Sequence, residues 1–394
     1  MKVLQVHNFY RTRGGECSVV DAERVLLESR GHKVVPYYRD SRNIDELRII
    51  DKARTLFRVP YNNAVEKDLT VTLSKDTPDV AHVHNVFPML TTAVYKALRN
   101  YGVPIIQTIH NFRFLCPNGQ FYVHNKVCEA CQEKGFLSAV KNRCMQNSFL
   151  ISSIYSAAIS HAWKSGVLPN GIDRYIALNQ FFADRLISGG IPPSRIRILG
   201  NFVSETGLLV SPKKDYVLYL GRLSQEKGIR TLLRAWKNVD GATLRIAGIG
   251  PMMQEIEDMI ANYPQARVQT MGYVSGIAKR VLIKEAICMV VPSEWYENFP
   301  ISVLEAMSLG TPVIASNIGG LPEMVNHDKD GLLYETGNSD ALTEKLRLMI
   351  SDRELAARLA KEALNSANNL FSPERHYESL IDIYTDAIDR LRNF

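Results

Sequence analysis

Ile287-Cys288-Met289-Val290-Val291 runs directly into Pro292-Ser293-Glu294-Trp295-Tyr296-Glu297-Asn298-Phe299-Pro300-Ile301-Ser302-Val303-Leu304-Glu305-Ala306-Met307. Five apolar residues in a row, closed by a proline, read as a buried strand of a parallel sheet. The residues beyond form a loop and then a helix. Pro300 suits the first helical position, where its missing N–H costs nothing. The free amides of the following residues would then face the ligand edge of the sheet and could receive a phosphate. Glu297 falls on the loop and Glu305 in the second helical turn. One carboxylate can reach a transferring group while the other accepts hydrogen bonds from vicinal hydroxyls. Glutamates near a helix start also complement the helix dipole, so spacing alone leaves a bland explanation standing.

Working outward, the same strand–loop–helix unit recurs along the chain. Strands are expected near Val3–His7, Lys33–Tyr37, Asp79–His84, Pro104–Ile109 and Arg174–Leu178 in the first half. A second set is expected near Tyr216–Leu220, Thr243–Ala247, Arg267–Met271, Ile287–Val291, Pro312–Ala315 and Leu332–Tyr334. Continuous apolar strands separated by helices predict an α/β fold: two Rossmann-like, doubly wound parallel-sheet domains facing across a cleft. The boundary is placed within Asn201–Asp215. That gives a first domain over 1–205, a second over 206–372, and a C-terminal helix over 373–394 that returns to the first domain.

A chain of 394 residues with 46% hydrophobic and 22% charged residues is ordinary for two globular domains. No apolar run approaches the roughly 20 residues a membrane span needs. The opening Met1-Lys2-Val3-Leu4-Gln5-Val6-His7 reads as a first strand rather than a signal peptide, which predicts a cytoplasmic protein. Residues 1–200 hold 26 Lys and Arg against 16 Asp and Glu, a net +10, whereas the remainder is net −4. A basic first half suits an anionic partner, although a scattered solvated surface explains it equally well. Arg42, Arg48, Lys52, Arg54 and Arg58 lie close together, and an anionic membrane surface is a candidate partner for them.

Two further loops sit where ligands bind in such sheets. Arg11-Thr12-Arg13-Gly14-Gly15-Glu16 follows the first strand, and its glycines allow close backbone approach, as does any tight turn. Gly221-Arg222-Leu223-Ser224-Gln225-Glu226-Lys227-Gly228 opens the second domain with two cations that can clamp a diphosphate or simply pair on the surface. Other signals are discounted. Asp328-Lys329-Asp330 matches a metal-binding Asp-x-Asp but lies in a polar turn. His82 and His84 share one strand face without a third ligand, so strand-end packing or acceptor contact is preferred to metal. Gly248-Ile249-Gly250 lacks the third glycine of a dinucleotide fingerprint. Trp295 and Tyr296 can stack on a sugar or pack the loop.

Glu297 and Glu305 have the E-x7-E spacing of retaining glycosyltransferases. Ala306 through Ser316, Gly319-Gly320-Leu321-Pro322-Glu323 and Gly221-Arg222 with Lys227-Gly228 follow the same pattern. The chain resembles glycosyltransferase family 4, of the bacterial cell-envelope polysaccharide type, strongly over 216–336 and more weakly at Gly14-Gly15 and Thr108-Ile109-His110-Asn111. The resemblance implies the GT-B fold, a nucleotide diphosphate sugar as co-substrate and no catalytic metal. It implies that Arg222 and Lys227 bind the pyrophosphate with main-chain amides around Phe299, Pro300, Ile301 and Ser302, that Glu305 holds the ribose hydroxyls, and that Glu297 contacts the donor sugar. Gly14, Gly15 and Gly221 would admit the phosphates, His110 would lie against the sugar from the acceptor side, and Gly248, Gly250 and Tyr273-Val274 would border the base. Many relatives carry Gly-Phe-Gly where this chain has Asn298-Phe299-Pro300, so one expected amide donor is missing.

The expected activity is retaining transfer of a hexosyl group to a hydroxyl of a saccharide or lipid-linked saccharide by a front-side mechanism. Such an enzyme would work in the cytoplasm or peripherally on the inner face of the cell membrane, with no nucleic-acid partner. Alternatives are a nucleotide-sugar epimerase or a non-catalytic nucleotide-sugar-binding protein. Cys116, Cys128, Cys131 and Cys144 form a C-x11-C-x2-C-x12-C cluster that fits a structural zinc site or free packing thiols. Disulfides are disfavoured in a reducing compartment.

Overall fold

The computed structural model describes residues 1–11, 14–203 and 212–392. It divides into two compact units, one of Met1–Val123, Cys128–Gly200 and Glu374–Phe394, the other of His124–Val127 and Asn201–Pro373. Thr12 and Arg13 of the first glycine loop, and most of the expected linker including Ser211, lie outside the described residues.

The first unit is built on a parallel sheet of β1 (Lys2–Phe9), β2 (Lys33–Asp40), β3 (Val80–Asn85), β4 (Ile105–Ile109), β5 (Arg174–Ala177) and β6 (Ile196–Ile198). Their order is β2-β1-β3-β4-β5-β6, and Val3 stands opposite Val34 on one side and Val80 on the other. The sequence reading found five of these strands. It missed β6, a three-residue edge strand in which Arg197 interrupts the apolar run. Val3, Val80, Ile106 and Ile176 form an apolar floor for Leu380, Ile383, Tyr384 and Ala387 of the helix Pro373–Arg392. Burying each large side chain there stabilises by about 1.5–3 kcal/mol. Asp386 on the same helix anchors it by accepting from Arg174 Nε at 2.5 Å and Nη2 at 2.6 Å.

The second unit carries β7 (Tyr216–Leu220), β8 (Thr243–Ala247), β9 (Val268–Gly272), β10 (Cys288–Val291), β11 (Val313–Ser316) and β12 (Gly331–Tyr334). They form a parallel sheet in the order β9-β8-β7-β10-β11-β12. Winding reverses between β7 and β10, and ligands of open α/β sheets bind beyond the strand ends at that switch point. The loops there are Gly221–Gly228 and Pro292–Pro300. Trp236, fully buried, locks the helix Ile229–Trp236 by donating from Nε1 to the Ala266 carbonyl at 2.5 Å. The chain therefore has the expected two Rossmann-like folds.

Candidate functional site

Close backbone packing assembles the edge of the second unit. The Leu223 amide donates to the Ile249 carbonyl at 3.0 Å, which ties the loop after β7 to the loop after β8. Gly248 makes this possible, because a Cβ there would sit 1.8 Å from the Gly221 carbonyl oxygen. The Glu294 amide donates to the Glu226 carbonyl at 2.8 Å, and the Gly320 amide to the Glu297 carbonyl at 2.7 Å. Four loops thus converge on one edge.

Lys227 and Glu297 meet there. Lys227 Nζ lies 2.6 Å from Glu297 Oε1, which also accepts from Ser293 Oγ at 2.5 Å. Glu297 is only 4% exposed. Burial acts to raise its pKa, yet the Lys227 ammonium and these hydrogen bonds hold the carboxyl below its usual range, so it is ionised at neutral pH. Lys227 also sits 4.9 Å from the centre of the Trp295 ring, which gives Trp295 a packing and cation–π role. Arg222 is more open. Its guanidinium, half exposed, pairs with Glu226, whose Oε1 also accepts from Ser224 Oγ at 2.7 Å. Each cation of the loop already has a carboxylate partner that an incoming anion would have to share or displace.

The helix after β10 spans Ile301–Ser308, with Pro300 at its N-cap, one position earlier than the sequence suggested. No side chain caps it, so the amides of Ile301 and Ser302 remain available in the first turn, behind Phe299. Glu305 lies in the second turn and pairs with Lys279 of the helix Gly276–Lys284, beside a depression of about 210 Å³ bordered by Val203, Arg280 and Ser308. Lys279 escaped the sequence reading because it is 26 residues away on another helix. Val274, half-buried, lies just before that helix. Asp330 does not point to a ligand: it is fully buried and accepts from the Asn326 amide at 2.7 Å and Ser366 Oγ at 2.8 Å.

On the first unit, Gly14 is the N-cap of the helix Gly15–Ser29. Glu16, on its first turn, is pushed up to about 8 by burial, against Arg113 and hydrogen bonds from Asn111 and Tyr10. His110 lies just past β4, its Nε2 3.0 Å from His84 Nδ1. Behind it, His84 Nε2 lies 3.3 Å from Glu23 Oε2, and His376 Nε2 is 3.2 Å from Glu23 Oε1. His82 bonds Tyr384 and Thr108 hydroxyls, each at 2.7 Å. Burial pushes His110 down to about 4 and His84 well below the ordinary imidazole value, so both are neutral at pH 7. His82 and His84 are buried parts of this network; the buried carboxylate Glu23 and His376 were not anticipated.

A model of group 1 glycosyl transferases matches residues 206–366, and a model of glycosyltransferase family 4 matches residues 13–206. An uncharacterized glycosyltransferase of Methanocaldococcus jannaschii, MJ1607, is 26% identical over 83% of this chain and 80% of its own length. Sucrose-phosphate synthase of Thermosynechococcus elongatus shares the fold with a TM-score of 0.73 at 18% identity, covering 99% of this chain and 100% of that one. Anabaena Alr3699/HepE, solved in complex with UDP, gives 0.67 at 18% identity, covering 98% and 100%. Two Rossmann-like sheets and these matches define an enzyme that transfers sugar, with the GT-B fold. The chain belongs to glycosyltransferase family 4.

Proposed function

We propose that this enzyme transfers a hexosyl group, with retention of anomeric configuration, from a nucleotide diphosphate sugar to a hydroxyl of a saccharide or lipid-linked saccharide. The observation that carries the reading is the buried, ionised Glu297 held by Lys227 beside an uncapped helix start at the switch point of the second sheet. As the nucleoside diphosphate leaves, negative charge grows on its phosphate. Lys227, Arg222 and the Ile301 and Ser302 amides would meet that charge, each contact contributing on the order of a few kcal/mol. These groups act without a metal. Glu297, released from full pairing as Lys227 turns to phosphate, would steady the sugar as positive character develops at its anomeric carbon. Glu305 would accept from the ribose hydroxyls, Gly221 would admit the phosphates, and Gly248, Gly250, Tyr273 and Val274 would border the base. On the first unit, Gly14, Gly15 and His110 would face the reacting groups, His110 as a neutral imidazole. The UDP held by the Anabaena protein supports a nucleotide donor.

Attachment to an anionic membrane surface would bring a lipid-linked acceptor within reach. Its support is the helix Ile49–Phe57, where Ile49, Ile50 and Phe57 are 87%, 62% and 64% exposed among Arg48, Lys52, Arg54 and Arg58. Among the described residues no helix is long and apolar enough to cross a membrane.

A panel of nucleotide sugars, followed by NMR of the first-formed product, tests the reading. Retained configuration in the presence of chelator is expected. Inversion, or a strict Mg²⁺ or Mn²⁺ requirement, would overturn the mechanism.

A further inference from the structure

The first unit holds one close-set, buried cluster of potential metal ligands and one group of cysteines gathered around a small cavity. In the cluster, ligand atoms of Glu23, His82 and His84 come within 4.8 Å of one another. Both His82 nitrogens are already taken by the Tyr384 and Thr108 hydroxyls, so that cluster is a hydrogen-bonded network with no free face for an ion. The other is different. Cys116, Cys128, Cys131 and Cys144 all line one cavity of about 10 Å³, and all four are free thiols. A space of that size holds one small atom and excludes a multi-iron cluster.

We propose that these four cysteines bind a single zinc ion in a tetrahedral, purely structural site. The close pair Cys128 and Cys131 has zinc-knuckle spacing, and Cys131 opens a helix over Ala130–Lys134. Cys116 begins the turn Cys116-Pro117-Asn118-Gly119, in which the Gly119 amide donates to the Cys116 carbonyl at 2.7 Å and Gly119 takes a φ of +75°. Cys144 closes the set after the helix Leu137–Lys141, its amide donating to the Ala139 carbonyl at 3.0 Å. Cys116 and Cys131 are buried, and Cys128 and Cys144 half-buried, so the cavity is shielded on two sides.

Cys116 and Cys131 lie within hydrogen-bond reach of each other, and the backbone of Phe121, Asn118 and Gly119 also hydrogen-bonds to the Cys116 sulfur. Backbone donors aimed at a buried sulfur suit a metal-bound thiolate. Binding exchanges four S–H bonds for four Zn–S bonds and releases four protons to solvent. The bond from Cys116 Sγ to Asn118 Oδ1, 3.0 Å, is given up in the exchange.

The surrounding chain supplies the reason for a cross-link. Between β4 and the helix Phe149–Lys164 the backbone has only short elements and repeatedly turns left-handed, at Phe121, His124, Asn125, Arg143, Gln146 and Asn147. Such a backbone is strained for a non-glycine residue and persists where the surroundings over-determine it. Zinc bound to folded but not unfolded chain provides that constraint. The lashed loop is held against the unit through Trp163 Nε1 to the Phe114 carbonyl at 3.0 Å and Arg185 to Glu129 at 2.6 Å. It starts directly after His110 and Asn111, so the ion would fix that end of β4 without touching substrate.

Elemental analysis of protein purified without added metal tests this. About one zinc per chain is expected, falling to background in a Cys128→Ser/Cys131→Ser double variant and unchanged in Cys288→Ser, a buried cysteine of the second unit. Should the double variant fail to fold, the wild type still decides. Cobalt exchanged for zinc should show the visible bands of a tetrahedral tetrathiolate, and a mercurial should release the metal as four thiols are titrated. Background metal in the wild type with four reactive thiols, a disulfide at these positions, or stoichiometric iron in place of zinc would each overturn the proposal.

Discussion

Each unit opens with a strand, a glycine-bearing loop and a helix, yet the two glycine loops are under opposite constraints. Gly228, in the loop after β7, has a φ of +70°, and a Cβ there would lie 1.7 Å from the Pro292 carbonyl oxygen. The chain's own packing demands glycine. Gly14, in the loop after β1, has an extended φ of −126°, and a Cβ would meet nothing within 4 Å. Among the described residues, nothing requires glycine at that position. A glycine imposed by neighbouring backbone serves the fold, whereas one with open space around it is available to something outside the chain.

Gly228→Ala carries the largest expected effect. The left-handed backbone alone costs an alanine about 1–3 kcal/mol, before the clash with Pro292 forces the loops after β7 and β10 apart. A fall in thermal midpoint together with loss of donor binding is expected. A stable, fully active variant would show that the two loops are not held as described.

Lys227→Ala comes next. It would leave the Glu297 carboxylate buried without its cation, a loss of about 3–5 kcal/mol for a buried pair, and turnover should fall severely. The pair also sets a pH dependence. Because the folded state holds Glu297 below its ordinary value, its contribution is present above the unfolded carboxyl range and is lost as pH falls through the folded value. Acid titration of unfolding stability should therefore show a drop at low pH in the wild type that is weakened or absent in Lys227→Ala. Identical acid profiles would separate the two residues energetically.

The same contrast explains what was legible in the sequence. Sheets of Val and Ile alternating with helices announce themselves, and so does a motif whose members lie within one loop and one helix, such as Glu297 and Glu305. Tertiary partners do not. Lys279 reaches Glu305 from a helix 26 residues earlier, and Glu23 meets His376 across 353 residues, so no local period encodes either meeting. The one-face reading of His82 and His84 was sound, since their rings lie 4.1 Å apart, but which face was the interior depended on the terminal helix that brings Tyr384. Edge strand β6 was missed because three residues with a central arginine carry too little pattern.

Glu305→Ala should cost less than Lys227→Ala, and in binding rather than stability. Lys279 and Glu305 are each about a quarter exposed, so neither is stranded when the other is removed. Losing charge-assisted hydrogen bonds to ribose hydroxyls should weaken nucleoside diphosphate binding by about 1.5–3 kcal/mol, roughly tenfold to a hundredfold. Calorimetric titration measures it directly. Unchanged affinity in a folded variant would remove Glu305 from the ribose position.

Gly14→Ala is the smallest expected change in stability and the sharpest test of the contrast between the two loops. An extended φ that any residue adopts, with no atom of the described residues in the way, should leave unfolding free energy within about 0.5 kcal/mol of the wild type. If the open space belongs to a ligand, the added methyl group must be felt there. KM for the nucleotide sugar should rise, or turnover fall, while the thermal midpoint stays put. A second, larger substitution at the same place, Gly14→Val, should deepen the kinetic defect, since the added bulk projects into the same volume. Wild-type kinetics in both variants would show that Gly14 is merely an unoccupied turn. Lost stability in Gly14→Ala would instead mean that the glycine serves the fold, as Gly228 does, and the distinction between the two openings would disappear.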